Sequence, residues 1–130
     1  MKLDIQSDGT IINDLLLQKD YITAIRLLTD PFFKKSFSSD VIARALYRLI
    51  VDKQYNLAQS LYNSLDMNVK NKMEWNLILN SMIMRDDRIN IAWILQHFYI
   101  PKDIINILLS TAKQYNKSEI VSLFQKYLNR

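Results

Sequence analysis

Cysteine is absent from the 130-residue chain. That excludes a disulfide framework, a thiolate nucleophile and a zinc site of the Cys or Cys/His kind, and it fits a reducing compartment. Glycine occurs once, at Gly9, so no glycine-rich loop is available to cradle phosphates. Histidine also occurs once, at His97. With no Cys, and no carboxylate at helical ligand spacing from it, His97 is expected as a partly exposed helix-end residue; a metal ligand or general base would need an oriented partner. The serines lack a strand-to-helix nucleophile elbow. The expected chemistry is therefore none: no enzyme, no cofactor, no metal and no small-molecule substrate. Long hydrophobic runs are missing too, since no apolar stretch approaches the roughly 18 residues of a membrane span. The opening MKLDIQSDGTIIND carries Asp4 and Asp8 and has neither an apolar signal core nor an Arg-rich amphipathic stretch. An intracellular, soluble protein with no membrane span is expected.

What is present is ordinary for a folded helical chain. Hydrophobic residues make up 49% and charged residues 23%, with two prolines, which sets disorder aside. By size, residues 1–130 form one domain able to bury its own core. The net charge of +4 is unevenly spread: eight basic side chains face seven acidic ones through Leu65, and nine face six beyond it. This mild basic excess is compatible with a polyanionic partner.

The informative feature is an internal repeat. A shift of 34 residues aligns Ile11, Ala45 and Leu79, then Leu15, Leu49 and Ile83, then Leu16, Ile50 and Met84. It also aligns Tyr21, Tyr55 and Ile89, then Ala24, Ala58 and Ala92, then Leu27, Leu61 and Leu95. Periods of this length mark arrays of supersecondary units. Polar breaks fall at matching places, at Gln18-Lys19-Asp20, Asp52-Lys53-Gln54 and Asp86-Asp87-Arg88. On either side of them the apolar spacing is three and four, as in Leu46, Leu49, Ile50 or Ala58, Leu61, Leu65, which is helical. Each copy reads as a helical hairpin.

Capping chemistry places the ends. Ser39 or Asp40, Asn68 and Asp87 are candidate N-caps, Asn116 and Glu119 have capping-box spacing, Pro31 should end one helix and Pro101 begin another. The pattern predicts eight helices near 10–18, 20–31, 39–52, 54–66, 69–85, 87–98, 101–113 and 116–129. They pair into four hairpins at about 10–31, 39–66, 69–98 and 101–129. The fourth aligns Ile120, Leu123 and Tyr127 with Ala92, Leu95 and Tyr99 at a shift of 28. Two packed helices approach to about 8–10 Å, and a small side chain at the crossing permits this while a Leu three residues on fills the flank. Ala24, Ala58 and Ala92 are expected as those spacers, so enlarging them should overpack the core.

The element Ala-x-x-Leu-[Phe/Tyr] occurs as AIRLL at Ala24, AQSLY at Ala58, AWILQ at Ala92 and, in altered form, IVSLF at Ile120. It resembles the second helix of pentatricopeptide repeats. Trp75-Asn76 with Ile78-Leu79 is similar to the opening of their first helix, and the likeness spans about Thr10 to Leu128. The sister tetratricopeptide family shares the hairpin and the period of 34 but favours a small residue twelve before the alanine, where this chain has Ile12, Leu46 and Asn80. The resemblance implies an all-α solenoid of about four antiparallel hairpins that binds RNA in organellar, for example mitochondrial, RNA processing or translation. The cytoplasm or the mitochondrial matrix would then be its location. The sister family instead implies a scaffold holding a protein partner, a peptide or a helix, in a concave groove.

In the pentatricopeptide-like reading the base-facing slot falls on Thr10, Arg44 and Ile78, and Thr10 with Asp40 at the end of its unit matches a usual base-reading pair. Ile78 cannot hydrogen-bond a base edge. Arg44, Arg48, Lys70 and Lys72 are candidates for phosphate contact. Elsewhere, Arg85-Asp86-Asp87-Arg88 is expected as a solvated charge cluster at a turn. Tyr21, Tyr55, Tyr115, Trp75 and Trp93 read as packing residues. In PFFKKSF, Phe32, Phe33 and Phe37 are expected to cover the gap between the first two hairpins, with Lys34 and Lys35 in water; nucleic-acid stacking or contact with an acidic membrane surface is the alternative use of that segment.

Overall fold

A computed structural model describes residues 9–33 and 37–130, and among them there are nine helices and no strand. They are α1 (Thr10–Leu17), α2 (Tyr21–Thr29), α3 (Ser39–Val51), α4 (Tyr55–Asn63), α5 (Met67–Asn71), α6 (Trp75–Met84), α7 (Arg88–His97), α8 (Lys102–Gln114) and α9 (Ser118–Leu128). Lys34 and Lys35 lie outside the described residues, as do Asp4 and Asp8. None of the helices among the described residues is long and apolar enough to cross a membrane.

Four of the connections are the same turn. Lys19, Lys53, Asp86 and Asn116 each adopt the left-handed conformation, with φ of 66°, 63°, 55° and 59°. In the first, Lys19 N–H donates to the Leu16 carbonyl at 3.1 Å and Asp20 N–H to the Leu15 carbonyl at 2.8 Å. The pattern recurs as Lys53 to Ile50 with Gln54 to Leu49, Asp86 to Ile83 with Asp87 to Met82, and Asn116 to Lys113 with Lys117 to Ala112. These paired bonds satisfy carbonyls that a helix end would leave orphaned. The second donor of each pair is also the N-cap of the following helix, with φ between −93° and −87° and ψ between 60° and 72°. A non-glycine residue in this conformation costs about 1–2 kcal/mol. The double hydrogen bond at each turn offsets that cost.

The turns set the true register of the repeat. Their left-handed residues at 19, 53, 86 and 116 are spaced by 34, then 33, then 30, so the third and fourth copies do not follow the pattern expected from sequence. Counting from the turn, Leu16 and Ile50 correspond to Ile83, and Met84 is half exposed. Tyr21 and Tyr55 correspond to Arg88, and Ile89 is 75% exposed, not core. Ala24 and Ala58 are fully buried, whereas the third slot is held by buried Ile91 and Ala92 is only part-buried. In the fourth copy Tyr127 is buried while Tyr99 is exposed, so those two are not equivalent. The slip has a plain cause: Ile78-Leu79, Ile83-Met84, Ile91-Ala92 and Ile94-Leu95 are adjacent apolar pairs, and a one-residue slide along them preserves the pattern.

Other boundaries depart in instructive ways. The helix expected over 69–85 is split into α5 and α6, with Lys72 as the C-cap of α5 and Met73 buried in the break. Asn68 and Asn71 supply little helical propensity to α5. Ser38, not Ser39 or Asp40, caps α3, accepting from Val41 N–H at 3.3 Å. Asp87 caps α7 as expected. Asn116 is the left-handed turn residue and not a cap. Tyr115 is the C-cap of α8 and is exposed, so it is not the packing residue expected. Asp30 precedes Pro31 with ψ of 128°, the extended geometry a following proline imposes, and α2 has ended at Thr29.

Contacts divide the chain into two compact units, Met1–Glu74 and Trp75–Arg130. In the first, α1 pairs with α2 and α3 with α4, and the hairpins stack with α1 on α3 and α2 on α4. Its core is centred on Ala24, Leu46, Leu49, Ile50, Ala58 and Leu61. In the second, α6 pairs with α7 and α8 with α9, and the stacking is α6 on α8 and α7 on α9. Ile78, Met82, Ile91, Ile105, Leu108 and Phe124 form its centre, all fully buried. The same rule of first helix on first helix and second on second thus holds in both units.

Candidate functional site

In the first unit, Thr10 opens α1 directly after Gly9, whose φ is 75°. A side chain at Gly9 would bring its Cβ within 2.6 Å of Val41 Cγ1, so glycine is what lets the start of α1 lie against α3. Thr10 and Arg44 line one depression of about 210 Å³ between these helices, floored by Ile12 and Ala45. Arg44 Nη2 lies 3.2 Å from Asp40 Oδ2, one turn back along α3. Of the expected residues, Thr10 and Arg44 share this depression, and Asp40 is joined to it only through its pair with Arg44. The Arg44–Asp40 pair is exposed, and such pairs contribute at most about 1 kcal/mol, so Arg44 can exchange Asp40 for another anion.

The other expected cations go elsewhere. Arg48 Nη1 lies 3.9 Å from Asp52 Oδ1, at the turn end of α3. Lys70 places its Nζ 4.9 Å from the centroid of the Tyr62 ring, a cation–π contact. Lys72 caps α5, and neither lysine lines the depression. Sequence reading missed the role of Asp52. Its carboxylate accepts from the Tyr21 hydroxyl at 2.8 Å and sits 3.6 Å from Lys19 Nζ, tying the turn of one hairpin to that of the next. Desolvation of the phenol, then the hydrogen bond and charge of Asp52, hold Tyr21 above the ordinary 10.0. Only the Arg48 to Asp52 spacing hinted at this, because Tyr21 lies 31 residues away.

In the second unit, the residues equivalent to Thr10 and Arg44, nine before each left-handed turn residue, are Leu77 and Ile107. Both are exposed, as is Met84. Ile78, which sequence placed at this slot, is fully buried. The slot is thus polar in the first unit and apolar in the second.

At the C-terminal end of α7 the chain leaves the helix through an extended stretch. Phe98 packs on Trp93 and Trp75 at ring separations of 5.3 and 5.5 Å, and His97 stacks on Trp93 at 4.6 Å with Nδ1 donating to the Trp93 carbonyl. Trp75 is buried as expected, Trp93 partly so, and His97 is an exposed helix-end residue as expected. The buried Tyr127 hydroxyl donates to the Ile100 carbonyl at 3.2 Å and accepts from the Ile100 N–H at 2.8 Å. Arg130 donates to the Leu95 carbonyl at 2.9 Å and lies 4.8 Å over the Tyr127 ring. His97, Tyr99, Lys102 and Arg130 border an open cleft of about 450 Å³. No sequence signal singled it out.

The charge cluster at the third turn is solvated, as expected: Arg88 pairs with Asp86 at 3.8 Å and also with Glu119 of α9. Phe37 is buried while Phe32 is 81% exposed, packed edge-on against Phe33, so only part of that aromatic trio serves as cover. Among the described residues no three His, Asp or Glu side chains are grouped to hold a metal ion. No family model, curated protein or solved structure matches the chain.

Proposed function

We propose that this is a non-catalytic helical-repeat protein of the pentatricopeptide-like kind, a solenoid-type module that binds RNA through its backbone more than through its bases. The observation that carries the reading is the depression between α1 and α3, where Thr10 and Arg44 sit on first helices stacked one on the other. The stacking rule, repeated in both units, is the one a helical-repeat array uses to present successive first helices along one face. Charge agrees with it, since Trp75–Arg130 holds seven basic against four acidic side chains. Base-specific reading by one residue per repeat is not part of the proposal, because Leu77 and Ile107 present no hydrogen-bonding group at the matched slot. Organellar RNA processing or translation is the setting the resemblance implies.

A second reading is favoured by those same two residues. With Met84 they leave apolar side chains exposed on α6 and α8, and a peptide or amphipathic helix of a protein partner would bury them. The two readings separate in one experiment. Titrating the chain with labelled single-stranded RNA at several salt concentrations should give a log–log decline in affinity, and Arg44→Ala should reduce its slope by about 0.7, the share of one phosphate contact. Purification from cell extract with a stoichiometric polypeptide and no RNA would favour the scaffold instead.

A further inference from the structure

We propose that the cleft at the C-terminal end of α7 is a second contact site for single-stranded nucleic acid, in which Tyr99 stacks on a base and Lys102 and Arg130 meet the flanking phosphates. This rests on the RNA-binding reading above and places a major contact away from the slots that the repeat pattern selects.

The first ground is the conformation of the stretch that carries Tyr99. Phe98 leaves α7 extended, with φ of −125° and ψ of 147°, and side chains alternate along an extended chain. Phe98 and Ile100 are buried, at 4% and 0% exposure, and Tyr99 between them is 71% exposed. Phe98 N–H donates to the Ile94 carbonyl at 2.9 Å and Tyr127 holds both the N–H and the carbonyl of Ile100, so the backbone that aims Tyr99 outward is fixed before and after it. A large aromatic ring held in water by a fixed backbone adds nothing to the core. It is a stacking platform already in place, and base stacking on such rings is tolerant of sequence.

The second ground is charge. Lys102 and Arg130 border the cleft, and no carboxylate side chain lines it. Asp103, the next residue along α8, is not part of the wall. Lys102 makes no ion pair among the described residues, so its ammonium is open to a ligand. Arg130 commits one guanidinium nitrogen to the Leu95 carbonyl and rests on Tyr127, which positions the group while leaving its other donors. At about 450 Å³ the cleft has room for a nucleotide-sized group. An acidic peptide would use the cations but would leave the outward ring idle. Alternating base and phosphate uses both.

The test is fluorescence anisotropy of the full chain with a labelled single-stranded oligouridylate across a salt series, using Tyr99→Ala, Tyr99→Trp, Lys102→Ala and Arg44→Ala. Tyr99→Ala should weaken binding by about fivefold or more, with Tyr99→Trp retaining it. Lys102→Ala should lower the log–log salt slope by about 0.7. Because both side chains are exposed, thermal midpoints should match the parent, which separates a binding loss from a folding loss. Parent-like binding by the Tyr99 and Lys102 variants, with Arg44→Ala weakened, would overturn the cleft and leave the RNA reading standing. Absence of any salt-dependent RNA binding by the parent would overturn both. Polyglutamate displacing the RNA equally from the parent and from Tyr99→Ala would assign the cleft to an acidic protein and sink the nucleic-acid proposal.

Discussion

Tyr127 is the residue whose polar atom matters most to local order. Its hydroxyl is buried and engages both backbone groups of Ile100, itself fully buried. Removing one partner of a buried pair leaves the other unsatisfied, which costs more than the net value of the bond. Tyr127→Phe is therefore expected to lose about 1–3 kcal/mol in urea denaturation; a loss indistinguishable from zero would mean that water reaches Ile100. None of this was readable from the chain alone. An aromatic at that position reads as core, but the identity of its backbone partner, 27 residues away, depends on how α9 returns along the linker before α8. Asp52 gives the same lesson, since the phenol it accepts from is equally remote in sequence.

At the scale of the helix, the recurrent alanines separate into two kinds. Ala58 is fully buried within the hairpin stack, and a larger side chain there must displace its neighbours. Ala58→Leu should cost about 1–3 kcal/mol by overpacking. Ala92 is only part-buried, one residue past the buried slot, and Ala92→Leu should stay within about 0.5 kcal/mol of the parent. Chemical denaturation of the two variants side by side decides the matter: equal losses would restore the uniform 34-residue register. The helices themselves were legible because apolar spacing of three and four is a local signal. Their exact register in the third and fourth copies was not, because runs such as Ile78-Leu79 satisfy the pattern in either of two phases. The turns choose between them through hydrogen bonds that the side-chain pattern does not encode.

Over the whole molecule, the principal helix pairings join neighbours or next neighbours in the chain, such as α1 with α3 and α7 with α9. Loop closure is then inexpensive and folding should be fast. Main-phase refolding from urea, followed by the fluorescence of Trp75 and Trp93, should be complete within about milliseconds, as for other helical topologies of low contact order. A main phase lasting seconds would contradict the local character of these contacts. The distribution of surface chemistry belongs to this scale too. Polar Thr10 and Arg44 in one unit and apolar Leu77 and Ile107 in the other are matched positions, and the difference is visible only after the turns have set the register.

Helical class and the approximate place of most helices were already contained in the order of residues, because periodicity and capping act over a few residues and leave a local imprint. Three-dimensional packing alone settled the break at 72–74, the burial of Ile78 in place of Leu77 and the cleft around Tyr99. Those features arise where segments distant in sequence compete for the same buried volume or the same backbone hydrogen bond, and that competition leaves no short-range signature.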